Sequence, residues 1–262
     1  MTTSAPPELA FGTPAELSRS LSSMTHRLRG SVILKIAAEV RAMIAAGKPV
    51  CNLTAGDFDP KHFPVPKALL EGIKKALDKG ETNYPPSEGL PALRQAVIDY
   101  VDREQGVRYP LESALIACGG RPIVYAAYRA VLDEGDTVIY SVPSWNNDYY
   151  TAITSANAIE IVAKRENGFQ PTAAEIAPHL PKAQLLCLCS PGNPTGTMMS
   201  ADTLREILEA VVAENRKRRQ AGKRLLFVFF DQIYGSLAYP PAKHHNPVAL
   251  VPEAAPYVIA LD

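Results

Sequence analysis

The chain has 262 residues, enough for one large α/β domain or for one domain and part of a second, and 47% of them are hydrophobic. Its 27 basic and 27 acidic residues give a formal net charge of zero, so the overall charge does not favour nucleic acid or an anionic membrane as a partner. No apolar stretch is long enough to span a bilayer, and the N-terminal residues lack a signal-peptide pattern. These features favour a cytoplasmic protein with a small-molecule partner and exclude a membrane-spanning one.

The cysteines and histidines do not suggest a metal site. The four cysteines show no spacing typical of a small disulfide framework, which suits a reducing cytosol, and we interpret them as structural thiols. Cys187 and Cys189 alternate along an apolar run, so both point to one face of a strand. His244 and His245 have no Cys, Asp or Glu at ligand spacing. We therefore expect no metal.

The N-terminal part of the chain is predicted to be helical after a loose arm of residues 1–30. An amphipathic helix follows, with Ser31 as its N-cap and Gly47 as its stop. Two more helices are expected at about 66–79 and 90–104.

From there on, short apolar runs alternate with segments long enough for crossover helices. This alternation predicts an α/β fold with a mostly parallel, doubly wound sheet that helices cover on both faces. In such sheets, ligands bind at the carboxyl ends of the strands. The predicted strands are 113–118, 137–141, 159–163, 184–189, 225–230 and 257–261.

Two of the predicted strand ends carry glycines or the only tryptophan. The sequence GGRP (119–122) lets backbone amides approach an anion at a helix N-terminus, although an ordinary glycine turn also explains it. Trp145 follows the strand at 137–141. It is either a stacking platform for a flat ring or a packed core aromatic.

Two further strand ends carry polar side chains in unusual places. The loop SPGNPTG (190–196) leaves Asn193 beyond a buried strand, and Asp231 closes the apolar run FVFF. A buried carboxylate without a partner costs several kcal/mol, so Asp231 needs a cation, donors or water. A capping aspartate and, for Tyr234, a core tyrosine are the ordinary explanations. Turn chemistry does not explain all four features at successive strand ends.

The chain resembles the class I, fold-type I aminotransferases that use pyridoxal 5'-phosphate (PLP), in particular the aspartate aminotransferase-like group. The resemblance covers residues 31–262. It implies that 56–262 form the large PLP-binding domain, incomplete at its C-terminal end, and that 1–55 form an arm and part of a smaller second domain. It rests on six motifs in the family's order: NLTAGDFD (52–59), TNYPPSEGLPALR (82–94), CGGRP (118–122), VPSW (142–145), SPGNPTG (190–196) and DQIY (231–234).

The resemblance implies a role for each polar residue that would face the PLP ring. It places Asp231 against the ring nitrogen, where a carboxylate keeps that nitrogen protonated and the ring able to accept electrons. Tyr234 and Asn193 would hydrogen-bond the phenolic oxygen of the ring. Trp145 would stack on the ring face, and the substrate would also contact Trp145 and Asn193.

The resemblance also implies residues that hold the phosphate and the substrate. Gly120 and Arg121 would bind the phosphate, although Arg121 stands where a small hydroxyl residue is common in the family. Tyr84 matches a tyrosine that reaches the phosphate of the neighbouring subunit, which implies a homodimer. Gly56 matches a loop whose backbone lies near the substrate carboxylate.

The family's catalytic lysine is not among these residues. The resemblance places the lysine that forms the Schiff base with PLP a few residues after YVIALD (257–262), and the arginine for the substrate carboxylate farther on. Lys164 and Lys243, for example, lie in segments that no motif places at the cofactor. We therefore expect a fragment of a longer aminotransferase that does not transaminate alone. It should also lack a strand that relatives insert between those at 113–118 and 257–261.

Amino transfer between an amino acid and a 2-oxo acid is the leading functional hypothesis. A PLP-dependent carbon–sulfur lyase or related synthase of the same fold remains open, as does a non-catalytic remnant. A nucleotide-binding Rossmann domain is disfavoured, because no G-x-G-x-x-G follows the first strand. The residues do not indicate which amino donor is used.

Overall fold

The computed structural model describes residues 12–28, 30, 32–54, 56 and 59–262. They divide into two compact units. The first holds the described residues up to Leu28 together with Glu88–Asp262, and the second holds those between Arg29 and Ser87. The predicted domain boundary between residues 55 and 56 stays a prediction, and the predicted N-cap Ser31 lies outside the described residues.

Ten α-helices and five strands are found among the described residues. The predicted helices after the arm are present as α3, α4 and α5, each within two residues of its expected ends. The helices are α1 Pro14–Arg19, α2 Ser23–Arg27, α3 Val32–Ala45, α4 Lys67–Asp78, α5 Pro91–Gln105, α6 Gly120–Val131, α7 Asn147–Ile153, α8 Ala173–Ile176, α9 Ala201–Gln220 and α10 Pro247–Leu250. The strands are β1 Thr137–Val142, β2 Asn157–Val162, β3 Leu185–Cys189, β4 Phe227–Asp231 and β5 Val258–Leu261.

The five strands form one parallel sheet in the order β2-β1-β3-β4-β5. Because the strands are parallel, their carboxyl ends meet at one edge of the sheet. Asp231, the last residue of β4, is the register partner of Cys189 on β3 and of Leu261 on β5. The chain segments that follow these three strands therefore begin side by side.

Helices cover the sheet on both faces, as the alternating pattern predicts. On one face Leu204, Ile207 and Leu208 of α9 pack with strand residues such as Phe230 in one buried cluster. On the other face Tyr128 of α6 packs in a second cluster with strand residues that alternate along each strand with those of the first cluster. Burial of both faces explains why the strands are continuous apolar runs.

The predicted strand at 113–118 is wrong. Leu111–Ser113 form a 3-10 turn, and the residues after it pair with no strand. The amide of Ile116 donates to Glu88 O instead, at 3.0 Å. An extended apolar run becomes a strand only where a neighbour supplies hydrogen-bonding partners. In the described part of the chain, β5 pairs with β4 alone.

A buried arginine ties helix α9 to the segment that leads into β3. Arg218 is only 6% exposed, and its Nη2 donates to Leu180 O at 2.7 Å and to Ala183 O at 2.6 Å. Its Nε donates to Glu214 Oε1 at 2.9 Å, so the buried charge is paired. No described helix is both long and apolar enough to cross a bilayer.

Candidate active site

A cavity of about 230 Å³ opens at the carboxyl ends of β3, β4 and β5. It is smaller than the roughly 300 Å³ at which sites for drug-sized ligands begin, so it suits one small ligand. Six residues that the sequence predicts at the cofactor line it together, although they come from four separate segments of the chain. They are Gly120, Arg121, Trp145, Asn193, Asp231 and Tyr234.

Asp231 is a half-buried carboxylate without a cationic partner among the described residues. Its Oδ1 accepts one hydrogen bond, from the amide of Ile233 at 3.1 Å. Burial raises the pKa of Asp231 above its ordinary value of 3.8, and that single amide only partly opposes the effect. The strand end therefore holds an acid whose ionised form a ligand cation would stabilise.

Asn193 and Tyr234 meet beside this carboxylate. Asn193 Nδ2 donates to the Tyr234 hydroxyl oxygen at 3.1 Å, across 41 positions of sequence. Both side chains line the cavity, so together they present an amide and a phenol to a ligand. The arrangement suits an acceptor oxygen on a ring, because each group still has donor capacity.

The loop that carries Asn193 is held by hydrogen bonds within itself and by Gln170. Gly192 N donates to Thr197 O at 2.8 Å, and Gln170 Nε2 donates to the same oxygen at 3.1 Å. A Cβ on Gly192 would lie 2.8 Å from Thr195 Oγ1 and 3.0 Å from Gln170 Nε2. A side chain at position 192 would therefore force Thr195 or Gln170 to shift. The bond before Pro194 is cis, as is the bond before Pro143.

Trp145 lies between β1 and α7. Asn146 has φ 60° and ψ 10°, a left-handed conformation that asparagine tolerates better than most residues. This turn starts α7 at Asn147 and leaves the indole 36% exposed at the cavity wall. The position suits stacking on a flat ligand.

The N-terminus of α6 forms another part of the wall. Gly119 has φ 123°, which strongly favours glycine, and it precedes the first helical residue, Gly120. The first amides of a helix have no partner inside it and bind anions well. The side chain of Arg121 lines the same cavity. Burial raises the pKa of Tyr150, and the charge of Arg121 opposes that rise.

Tyr84 and Gly56 belong to the second unit, between Arg29 and Ser87. The Tyr84 side chain is fully exposed. A Cβ on Gly56 would meet no atom within 4 Å. Their predicted roles stay predictions.

Sequence reasoning missed several residues of the cavity wall. Asn147 and Tyr150 lie on α7, shortly after Trp145 and the end of β1. A position just past a strand end is the same signal that indicated the other cavity residues. Cys187 and Cys189 also line the cavity, from one face of β3. Burial raises the pKa of each thiol to about 12, so both are neutral and are poor nucleophiles at physiological pH.

The chain matches one protein family over most of its length. The profile of the family "Aminotransferase class I and II" matches residues 48–260. The chain belongs to this family. The aspartate aminotransferases, which are the members of the family similar to this chain, use PLP.

Curated aspartate aminotransferases are among its relatives. The enzyme of Geobacillus stearothermophilus is 29% identical over 250 residues, which is 94% of this chain and 59% of the relative. The enzyme of Rhizobium meliloti strain 1021 is 31% identical over 224 residues, which is 85% of this chain and 52% of the relative. The chain therefore spans a little over half the length of these relatives.

Solved structures of the family have the same fold. The aspartate aminotransferase of Thermus thermophilus with maleate has a TM-score of 0.80 and 26% identity, with 92% of this chain and 59% of that chain covered. The aspartate aminotransferase of Rhizobium meliloti has a TM-score of 0.80 and 30% identity, with 91% and 57% covered.

The donors and acceptors of this aminotransferase cavity fit PLP. Asp231, which has no cationic partner among the described residues, suits a protonated ring nitrogen. The Asn193–Tyr234 pair suits a ring oxygen, and the N-terminus of α6, just after Gly119, suits a phosphate. No lysine is among the described residues that line the cavity. No group of three or more His, Cys, Asp or Glu in the described part of the chain could hold a metal.

Proposed function

We propose that this chain forms the cofactor-holding part of a PLP-dependent aminotransferase, an enzyme that moves an amino group between an amino acid and a 2-oxo acid. The observation that carries the proposal is Asp231, a half-buried carboxylate at a cavity, with one amide donor and no cation among the described residues. Bound PLP supplies the electron-accepting ring of the reaction. Asp231 holds the proton on the ring nitrogen.

The remaining wall residues orient the cofactor. The indole of Trp145 would cover one face of the ring and exclude water from it. Tyr234, which accepts a hydrogen bond from Asn193, would donate its hydroxyl proton to the ring oxygen. The amides of Gly120 and Arg121 bind the phosphate, and the Arg121 guanidinium adds a charge-assisted hydrogen bond.

The proposal extends to the partner and the location of the protein. We infer a homodimer in which Tyr84 reaches the phosphate bound by the other copy, and a backbone role for Gly56 at the substrate carboxylate. The complete exposure of Tyr84 supports this, because it leaves the side chain available to a second copy. All four cysteines are free, which supports a cytoplasmic location.

The first test is a titration of the chain with PLP, monitored through the fluorescence emission of Trp145, the only tryptophan of these 262 residues. A PLP ring stacked on the indole should quench the emission of Trp145. The quenching should saturate at one PLP per chain. Pyridoxal without phosphate should bind much more weakly. Absence of saturable quenching would overturn the proposal.

The second test is amino transfer itself. Because no lysine is among the described residues that line the cavity, PLP should bind there without forming a covalent bond to the 262 residues. Borohydride reduction followed by peptide mapping should then find PLP attached to no residue of the cavity, and turnover with several amino donors should equal a buffer control. Turnover above that control would contradict the expected need for a further lysine.

A further inference from the structure

Behind the cavity wall lies a tyrosine that no contact with a ligand explains. Tyr128, on α6, is completely buried and does not line the cavity. Its hydroxyl donates to Asn147 Oδ1 at 2.8 Å and lies 3.1 Å from Cys187 Sγ. Both of these neighbours do line the cavity. Tyr128 is therefore one step removed from the ligand and touches two of the groups that would face it.

Proton counting gives this contact a direction. A tyrosine hydroxyl has one proton, and here that proton goes to Asn147 Oδ1. The contact with sulfur must then be a donation from the Cys187 thiol to the hydroxyl oxygen. The high pKa of Cys187, about 12, keeps that thiol protonated. The three groups form a chain of hydrogen bonds that runs from Cys187 through Tyr128 to Asn147.

This chain fixes which way the Asn147 amide faces. Since Oδ1 is turned toward Tyr128, the Nδ2 group is turned away from it. No described residue accepts a hydrogen bond from Nδ2, and no described buried side-chain nitrogen or oxygen lacks a partner. The Nδ2 group is therefore accessible to solvent, and Asn147 is one of the residues that line the cavity. An amide fixed at one end has a donor available for a ligand oxygen.

The position of Asn147 makes it a strong candidate for ligand contact. It is the first residue of α7, two residues after Trp145. The ring of Tyr150, which also lines the cavity, lies 5.6 Å from the ring of Tyr128 at an angle of 46°. Tyr128 thus supports α7 through a polar contact and an aromatic contact.

We propose that Asn147 is a further binding residue of the cavity, donating a hydrogen bond from Nδ2 to the bound PLP, and that Tyr128 is the positioning residue that orients it. The inference rests on the proposed function, because PLP is its ligand. It adds two residues that the sequence motifs do not indicate.

The test is a double-mutant cycle on PLP affinity, read from the quenching of Trp145. The variants are Tyr128→Phe, Asn147→Ala and the two together. Loss of one neutral hydrogen bond predicts about two- to tenfold weaker binding for Asn147→Ala. Tyr128→Phe should lower PLP affinity by a similar or smaller factor. The double variant should bind PLP as weakly as Asn147→Ala does, because Tyr128 acts only through Asn147.

A matched control comes from the same helix. Tyr125 is 45% exposed, so Tyr125→Phe makes the same change where no cavity residue depends on it. It should leave PLP affinity unchanged. A second readout needs no ligand: Tyr128→Phe should change the emission of Trp145 and its accessibility to acrylamide, whereas Tyr125→Phe should not.

The outcomes separate this inference from the proposed function. If the parent chain binds no PLP, both fail. If the parent binds PLP and Asn147→Ala binds it equally well, Asn147 is no ligand and the inference alone is overturned. If the losses of the two single variants multiply in the double variant, Tyr128 acts by another route, and its positioning role is overturned.

Discussion

Replacing Asp231 by asparagine should have opposite effects on the unliganded protein and on its complex with PLP. Asparagine has nearly the same shape as aspartate. Its side-chain oxygen can accept the hydrogen bond that the amide of Ile233 donates to Asp231 Oδ1 at 3.1 Å. What it removes is the negative charge. In the unliganded protein that charge is half-buried and has no cationic partner among the described residues, so its removal should stabilise the fold.

The two magnitudes follow from the surroundings of the carboxylate. For the unliganded protein we expect a gain of about 1 kcal/mol, since one hydrogen bond already offsets part of the desolvation cost. A protein of this size would then melt about 2–4 °C higher. Removing one member of a buried charge pair costs about 3–5 kcal/mol. Asp231 is only half-buried, so we expect a loss of about 2–3 kcal/mol in PLP binding, or roughly 30- to 150-fold in affinity.

The stability effect should depend on pH in a defined direction. Because burial raises the pKa of Asp231 above 3.8, the folded protein keeps the proton on this group to a higher pH than the unfolded chain does. The ionised group therefore destabilises the fold increasingly as pH rises from about 3.8 to its folded pKa, and by a constant amount above that. The advantage of the asparagine variant should grow over that interval and then level off.

Thermal melts at several pH values, with and without PLP, measure both effects on the same samples. Asp148→Asn serves as the control, because Asp148 is an exposed carboxylate on α7 that does not line the cavity. It should change neither PLP affinity nor the pH profile appreciably. The reasoning is refuted if Asp231→Asn lowers the melting temperature of the unliganded protein and leaves PLP affinity intact.

Two further substitutions test the turn at Gly192 and the buried ion pair on α9. Gly192→Ala should weaken PLP binding and cost about 1–3 kcal/mol of stability, because its Cβ would lie 2.8 Å from a hydroxyl oxygen of the same loop. Gly72→Ala, in open space on α4, should instead leave stability equal or higher in thermal melts, and equal losses at both sites would contradict the argument. Arg218→Leu should cost about 3–5 kcal/mol in urea unfolding, because it leaves Glu214 buried and unpaired. Arg205→Leu, in an exposed pair on the same helix, should cost less than about 1 kcal/mol, and a similar loss for both would refute that account.

The sequence by itself determined the elements whose causes are local. The run FVFFD predicts β4 with an acid at its end, because a buried parallel strand is a continuous apolar run and a carboxylate stands out against it. Helical periodicity predicts α3, α4 and α5 to within two residues, since an amphipathic face recurs every 3.6 residues. Glycine at 119 and 192 indicates tight backbone turns for equally local reasons.

Only the tertiary structure decided the features that need a distant partner. The segment 113–118 has the composition of a strand, yet no strand of the described residues lies beside it, and the amide of Ile116 donates to Glu88 O instead. The contact between Asn193 and Tyr234 spans 41 positions, and the Tyr128 hydroxyl meets Cys187 across 59. Periodicity does not encode such pairs, because they depend on which strand ends lie side by side in the sheet. The order β2-β1-β3-β4-β5 brings Cys187, Asn193 and Tyr234 to one cavity.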